Sequence, residues 1–273
     1  MPVCYRVSDW SLQQFPNIRV SLTNSNAAEH LAAVMGVSFP GLRVRLESQD
    51  INLDSFTFEQ GYRLEGTLPE QHEISAFLES SKVAISVIDG CDTSFCLDMY
   101  RLPAEEDESP EEWHYTPIGF SVFRAKYRSS SADSKLVAEA LLAGVQRHKA
   151  LQRATTIVAM PSSSDHGSRP DCPRAWAGTL ASALGIDVMA VTRVRDASSQ
   201  KNFVDLDQRK ANQHGSMSAP AEVRGQSILV VDDLYMLGDS VREIARALRG
   251  GRCCQVFSIC AAKTAKGCQG YSF

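Results

Sequence analysis

Two adjacent carboxylates follow an apolar run near the carboxyl-terminal end of the chain. Residues 228–231 are all aliphatic, Asp232 and Asp233 come directly after them, and Gly238 precedes a helix predicted from Ser240. Carboxylates can bind ribose hydroxyls, or a Mg²⁺ ion directly or through water. The free N–H groups at the start of a helix can bind a phosphate. The pattern therefore predicts a site for a phosphorylated ribose.

Paired acids at a strand end also occur in Walker B segments and in phosphoacceptor domains. The chain contains neither Gly-x-x-x-x-Gly-Lys-Ser/Thr nor Gly-x-Gly-x-x-Gly, so the P-loop and dinucleotide fingerprints are absent. A phosphoacceptor domain usually carries its acids near its start, whereas this pair lies near the end of the chain. We favour the phosphoribose interpretation. A simple helix cap remains open as the role of Asp239.

The elements around the acid pair alternate between helix and strand. Strands are predicted at 118–127, 156–160, 186–191, 227–231 and 255–261, and helices at 132–148, 173–184 and 240–248. This alternation predicts an α/β fold with a doubly wound parallel sheet. In such a sheet ligands bind at the carboxyl ends of the strands, where the acid pair is expected.

The amino-terminal part is less regular and predicts an extra mixed α/β module with no recognisable chemistry. Helices are predicted at 27–35 and 70–82, and strands at 18–22, 42–46, 83–88 and 95–102. The acidic run at 105–112 is predicted to be a solvated linker. We therefore expect two domains, at 1–112 and 113–273.

Composition narrows the class of protein further. A net charge of −4 and a pI of about 5.9 argue against a dedicated duplex-DNA binder. No stretch approaches the roughly 20 apolar residues of a membrane span, and residues 1–10 do not resemble a signal peptide. The eight cysteines contain no Cys-x-x-Cys pair, which argues against structural zinc and favours reduced thiols. We expect a cytoplasmic protein.

The apolar strand, the acid pair and the short glycine loop resemble the fingerprint of the type I phosphoribosyltransferases. Other segments look like the ComF-like branch of that family: 123–127 its early strand and helix, 158–161 its pyrophosphate-loop strand, and 193–212 its basic flap. The resemblance covers roughly residues 118–263. The chain departs from the family at Leu237, where a threonine is usual, and in lacking the branch's amino-terminal zinc ribbon.

The resemblance implies that the protein binds phosphoribosyl pyrophosphate and Mg²⁺. The phosphoribosyl group would pass to a nucleobase-like acceptor, with release of pyrophosphate. Asp232 and Asp233 would hold the ribose hydroxyls and orient the metal, and Lys201 and Arg209 would reach the pyrophosphate when the flap closes. The residues implied to bind substrate are Tyr235, Met236, Leu237, Gly238, Asp239 and Ser240 at the 5-phosphate, and Pro161, Ser162, Ser163 and Arg193 at the pyrophosphate.

A second hypothesis is a non-catalytic, ComF-like ligand sensor or adaptor in DNA handling. The apolar Leu237 favours it, whereas the intact pair of Asp232 and Asp233 favours an enzyme. Nucleic acid is a partner only under this second hypothesis. Under either hypothesis we expect no membrane partner, and the family resemblance implies a homodimer.

Overall fold

The computed structural model describes residues 3–52, 57–103, 112–162, 170–195 and 213–265. Its largest sheet has seven strands. In spatial order they are β1 (Val3–Tyr5), β6 (Ile85–Ile88), β7 (Thr93–Met99), β15 (Gln255–Lys263), β14 (Ser227–Tyr235), β10 (Thr156–Ala159) and β11 (Asp187–Met189). The five strands β7, β15, β14, β10 and β11 are parallel to one another. At one edge of the sheet, β1 and β6 pair antiparallel. The predicted α/β class is confirmed.

Helices cover both faces of this sheet. They are α3 (Pro117–Arg128), α4 (Ser131–Arg147) and α5 (Cys172–Leu184) on one face, and α6 (Asp239–Gly250) on the other. Along β14, Leu229 and Val231 pack with the first group, whereas Ile228 and Val230 pack with α6. Because successive side chains of a strand point to opposite faces, an all-aliphatic strand fits a sheet covered on both sides.

A second, antiparallel sheet occupies the amino-terminal part. Its order is β2 (Val7–Gln14), β3 (Asn17–Leu22), β5 (Thr57–Gly66) and β4 (Leu42–Asn52). The helices α1 (Ala28–Ser38) and α2 (Gln71–Val83) contribute buried residues to the core of this part. Two short pairs complete the strands: β8 (Arg101–Leu102) with β9 (His114–Tyr115), and β12 (Thr192–Arg193) with β13 (Met217–Ser218). The predicted mixed α/β character is confirmed.

The strand predicted at 118–127 is wrong, since this segment is helix α3. Thr116 caps the helix by accepting the N–H of Gly119, and Pro117 occupies the first helical turn. The buried residues Gly119, Val122 and Ala125 recur every three positions, which is a helical spacing. The resemblance to the ComF-like branch implied a strand at 123–127, and the structure has a helix there instead. The aromatic residues of the segment suggested a strand, but two of the three, Phe120 and Tyr127, are exposed on the helix.

The strand that carries the acids is longer than predicted. β14 continues to Tyr235, and its parallel pairing with β15 includes Asp232 opposite Cys260 and Leu234 opposite Ala262. The two acids therefore lie within the strand rather than after it. The helix that follows begins at Asp239, one residue before the predicted start.

Three strands from the first 112 residues, β1, β6 and β7, belong to the same sheet as β14. The division at residue 112 stays a prediction about how the sequence is organised. Among the described residues, no helix has the length and apolar character needed to cross a membrane.

Candidate functional site

The acid pair lies near the carboxyl end of β14, between the parallel strands β10 and β15. Asp232 is only 8% exposed, and one of its carboxylate oxygens accepts the N–H of Asp233 at 2.8 Å. Burial and then the negative charge of Asp233 raise the pKa of Asp232 to about 8. The surroundings of Asp232 therefore favour its protonated form, and a nearby cation would favour its charged form.

Lys126 of α3 forms an ion pair with Asp233 that the sequence did not predict. Its ammonium donates to a carboxylate oxygen of Asp233, and the two side chains are 15% and 13% exposed. Burial alone would lower the pKa of Lys126, but the charge of Asp233 and this hydrogen bond raise it above its usual value. The only feature of the sequence that pointed to Lys126 was its position within 123–127, a segment that resembles the family.

The segment Pro161–Ser162 follows β10 and begins beside the acids. The N–H of Met160 donates to the carbonyl of Val231 at 2.9 Å, which fixes the end of β10 against β14 just before Asp232. Ser162 is exposed. Ser163 lies outside the described residues.

Arg193 of β12 lies against this segment. Its guanidinium donates to the carbonyls of Pro161 and Ser162, at 3.3 and 3.4 Å. Its positive charge favours the charged form of Asp232, against the larger effects of burial and of Asp233. The structure thus brings Arg193 to both the acids and the predicted pyrophosphate segment. Lys201 and Arg209 lie outside the described residues.

The segment from Tyr235 to Ser240, here called the 235–240 loop, joins β14 to α6. Gly238 adopts a φ of +77°, and a Cβ added there would lie 2.1 Å from the hydroxyl oxygen of Tyr235. Only glycine fits this backbone and this close approach. Gly238, not Asp239, is the N-cap of α6. Asp239 is the first helical residue, and its carboxylate pairs with Arg242 at 2.5 Å.

The 235–240 loop offers few side-chain donors to an anion. Tyr235 and Leu237 are buried, whereas Met236 and Ser240 are partly exposed. Arg242 also donates to the carbonyl of Leu237 at 2.8 Å. An anion at this loop would be bound by the first N–H groups of α6 and by the hydroxyl of Ser240.

A comparison with protein families matches one part of the chain to a known family. Residues 174–270 match the family model described as the phosphoribosyl transferase domain. Residues 174–270 are therefore similar to the phosphoribosyl transferase domain, and the resemblance predicted from the sequence is confirmed at that level. The matched range includes the acid pair, the 235–240 loop and Arg193.

Two solved structures show low similarity to the chain. One is a hypothetical protein from Neisseria gonorrhoeae with bound ppGpp, at 18% identity, 53% coverage of this chain, 74% of that chain, and a TM-score of 0.35. The other is the allosteric regulatory enzyme of purine biosynthesis, at 13% identity, 89% coverage of this chain, and a TM-score of 0.31. This chain spans 44% of the second structure. No curated protein matches the sequence. At these TM-scores neither structure supports an inference.

Proposed function

We propose that the protein binds phosphoribosyl pyrophosphate with Mg²⁺, transfers the phosphoribosyl group to a nucleobase-like acceptor, and releases pyrophosphate. The observation that carries this proposal is the arrangement at the carboxyl ends of β10 and β14. There the acid pair lies beside the Pro161–Ser162 segment and precedes the 235–240 loop. Ligands of open α/β sheets bind at this edge.

The acids suit a Mg²⁺ ion that is also held by the substrate. Among the described residues, no group of three or more His, Cys, Asp or Glu side chains is arranged to hold a metal. Mg²⁺ is usually bound by one or two carboxylates, with substrate phosphates and water completing its shell. Asp232 and Asp233 meet that requirement. The raised pKa of Asp232 shows that its negative charge is unfavourable where it lies, and a cation beside it would offset that cost. When bound, Mg²⁺ would neutralise part of the pyrophosphate charge.

The protein residues divide the remaining work. The carboxylates of Asp232 and Asp233 accept ribose hydroxyls and stabilise the positive charge that develops on the sugar as pyrophosphate leaves. Lys126 fixes the orientation of Asp233 through their ion pair. We assign Arg193 to the pyrophosphate, because its guanidinium donates to the carbonyls of Pro161 and Ser162. We assign Lys201 and Arg209 to the same leaving group, as the family resemblance implies.

A non-catalytic sensor is the second candidate function. One observation favours it: Met236 and Leu237 contribute no hydroxyl to the 235–240 loop, and Leu237 is buried. Such a loop can bind a 5-phosphate through backbone N–H groups without the contacts a tightly held transition state would need. A nucleic-acid partner is proposed only with this second candidate, whereas a place in the ComF-like branch and a homodimer are proposed with either candidate.

Thermal unfolding with phosphoribosyl pyrophosphate and MgCl₂ tests the proposal. A ligand at about 100 times its Kd stabilises the folded state by about 2.7 kcal/mol, which is several degrees in Tm. We expect this shift in the parent and its loss in Asp232→Asn. Asp187→Asn is the matched control, because Asp187 is an exposed acid at the amino end of β11 in the same sheet.

The outcomes separate the two candidates. The absence of a shift in the parent contradicts ligand binding and overturns the proposal. A shift together with pyrophosphate release on one nucleobase from a panel supports the enzyme. A shift with no release on any base, together with oligonucleotide binding that weakens as salt rises, supports the sensor.

A further inference from the structure

The amino-terminal part of the chain reaches the 235–240 loop through one carboxylate. Asp89 lies in the β6–β7 connection, residues 89–92, which packs beside α6. One of its oxygens accepts the N–H groups of Gly90 and Cys91, at 2.6 and 2.9 Å, and the hydroxyl of Ser94 at 2.9 Å. These contacts fix the direction of the carboxylate. Its other oxygen accepts the hydroxyl of Tyr235 at 3.1 Å.

The hydroxyl of Tyr235 in turn supports Gly238. The Tyr235 side chain is 1% exposed and lies directly beneath Gly238, where a Cβ would be 2.1 Å from its oxygen. A shift of the tyrosine would therefore move the N-cap residue of α6. The buried Lys263 holds the same ring, with its ammonium 5.6 Å from the ring centroid and donating to the carbonyl of Met236 at 2.9 Å.

Opposing effects act on the pKa of the Asp89 carboxyl group. Burial raises the pKa of Asp89, whereas its hydrogen bonds and the positive charge of Arg242 act in the opposite direction. Arg242 also donates to the carbonyl of Leu237 in the loop. The carboxylate and the loop thus share a tyrosine and an arginine.

We propose that Asp89 is a positioning residue for the 235–240 loop: through Tyr235 it holds the backbone N–H groups at Gly238, Asp239 and Ser240 in place to bind the 5-phosphate. The proposal rests on the proposed function for the identity of the ligand. It assigns a role in the site to the first 112 residues. Because the loop lacks the usual threonine hydroxyl, the placement of its backbone determines how well it binds an anion.

Two ligands distinguish positioning from general loosening. Ribose 5-phosphate should bind the 235–240 loop, whereas pyrophosphate with Mg²⁺ should bind at Pro161–Ser162. In Asp89→Asn and Tyr235→Phe we expect the affinity for ribose 5-phosphate to fall about tenfold, the effect of one hydrogen bond to a charged group. The affinity for pyrophosphate should stay within about twofold, because its segment has no contact with this hydrogen bond.

Matched controls come from the same chain. Asp92→Asn changes another acid of the β6–β7 connection, one that binds Arg249 and the N–H of Val256 instead. Tyr62→Phe removes another buried tyrosine hydroxyl, one that donates to the carbonyl of Ala28. Neither control should alter ribose 5-phosphate binding. A variant of Asp89 or Tyr235 that loses both ligands equally, or neither, overturns the proposal.

Hydrogen exchange of the unliganded protein tests the inference without any ligand. In Tyr235→Phe the N–H of Arg242, which donates to the loop carbonyl of Gly238 at 2.8 Å, should exchange about tenfold faster, whereas the N–H of Met160, which donates to Val231, should not change. If the parent binds neither ligand but exchange rises selectively in the loop, the proposed function fails and the positioning role stands. Unchanged exchange in the loop, or faster exchange throughout the sheet, overturns the positioning role.

Discussion

The acid pair and the 235–240 loop lie at the same end of β14 but are stabilised in different ways. The acids are held by charge: Lys126 pairs with Asp233, and Arg193 lies near Asp232. The loop is held by packing and by bonds to its own carbonyls, from Arg242 and Lys263. A cation would be favourable beside the acids, whereas in the loop the carbonyls of Met236 and Leu237 already accept hydrogen bonds from Lys263 and Arg242.

The difference indicates how a ligand would gain binding energy in each region. A cation beside the acids would relieve the cost of burying Asp232 next to Asp233. An anion at the loop would gain only the N–H groups of the first turn of α6 and one hydroxyl. Substitutions should therefore affect the acid region through charge and pH, and the loop through shape.

The largest effect is expected from Gly238→Ala. The new Cβ would meet the Tyr235 hydroxyl, and the φ of +77° is unfavourable for alanine. A left-handed residue costs about 1–2 kcal/mol and an overpacked site about 1–3, so we expect a loss of about 3–4 kcal/mol in the free energy of unfolding. Gly185→Ala is the control, because its φ is +68° but no atom lies within 4 Å of the added Cβ. Equal losses in urea unfolding would contradict the steric explanation.

The next effect is expected from Lys126→Met. Asp233 would be left largely buried without its cation, a change that costs about 2–3 kcal/mol for a pair that is mostly out of water. Lys135→Met removes an exposed partner of Glu139 on α4 and should cost less than about 0.5 kcal/mol. Denaturant unfolding of the two variants at low and high salt measures the difference. Similar costs in both would show that the acid pair does not depend on Lys126.

A pH-dependent effect is expected from Asp232. Its pKa of about 8 in the folded protein lies above the value of about 3.9 in an unfolded chain. The folded state therefore binds more protons between those values, so the contribution of Asp232 to stability is fully present below pH 4 and is lost as the pH rises towards 8. At 1.36 kcal/mol per pKa unit, we expect a loss of about 2 kcal/mol between pH 6.5 and 8.

Asp232→Asn cannot titrate at this position, so the fall in stability should be absent from that variant. MgCl₂ should reduce the fall in the parent, because a cation favours the charged carboxylate. Tm measured across this pH range checks both statements. Parallel pH profiles for parent and variant would place the titration elsewhere in the protein.

Local signals explain which parts of the site the sequence predicted. The aliphatic run, the two acids and Gly238 lie close together in the sequence. The run indicates a buried strand, and the glycine indicates a tight turn. The parallel strands around them follow from alternating helices and strands. The acid strand was predicted too short, because acids usually mark the end of a buried strand, whereas here Asp232 and Leu234 continue the pairing with β15.

The contacts that the sequence did not predict join distant residues. Lys126 and Asp233 are 107 positions apart, and Tyr235 and Asp89 are 146 apart. No periodicity marks such pairs, since each depends on how helices and strands pack. The error at α3 had a different cause. Exposed aromatic residues such as Phe120 and Tyr127 favour a strand locally, but the buried spacing of Gly119, Val122 and Ala125 favours a helix.

The smallest effect is expected from Ser240→Ala. Ser240 is partly exposed in the first turn of α6, so removal of its hydroxyl should leave Tm within about 1 °C. If its hydroxyl binds the 5-phosphate, affinity for ribose 5-phosphate should fall about threefold to tenfold, the effect of one hydrogen bond. Affinity for pyrophosphate should not change. Titration of both ligands measures this, and Ser75→Ala on α2, whose hydroxyl donates to Gln71, is the control. An unchanged affinity for ribose 5-phosphate would mean that the loop binds phosphate through its backbone N–H groups alone. Phosphate binding would then depend on the shape of the loop, whereas cation binding at the acid pair depends on charge.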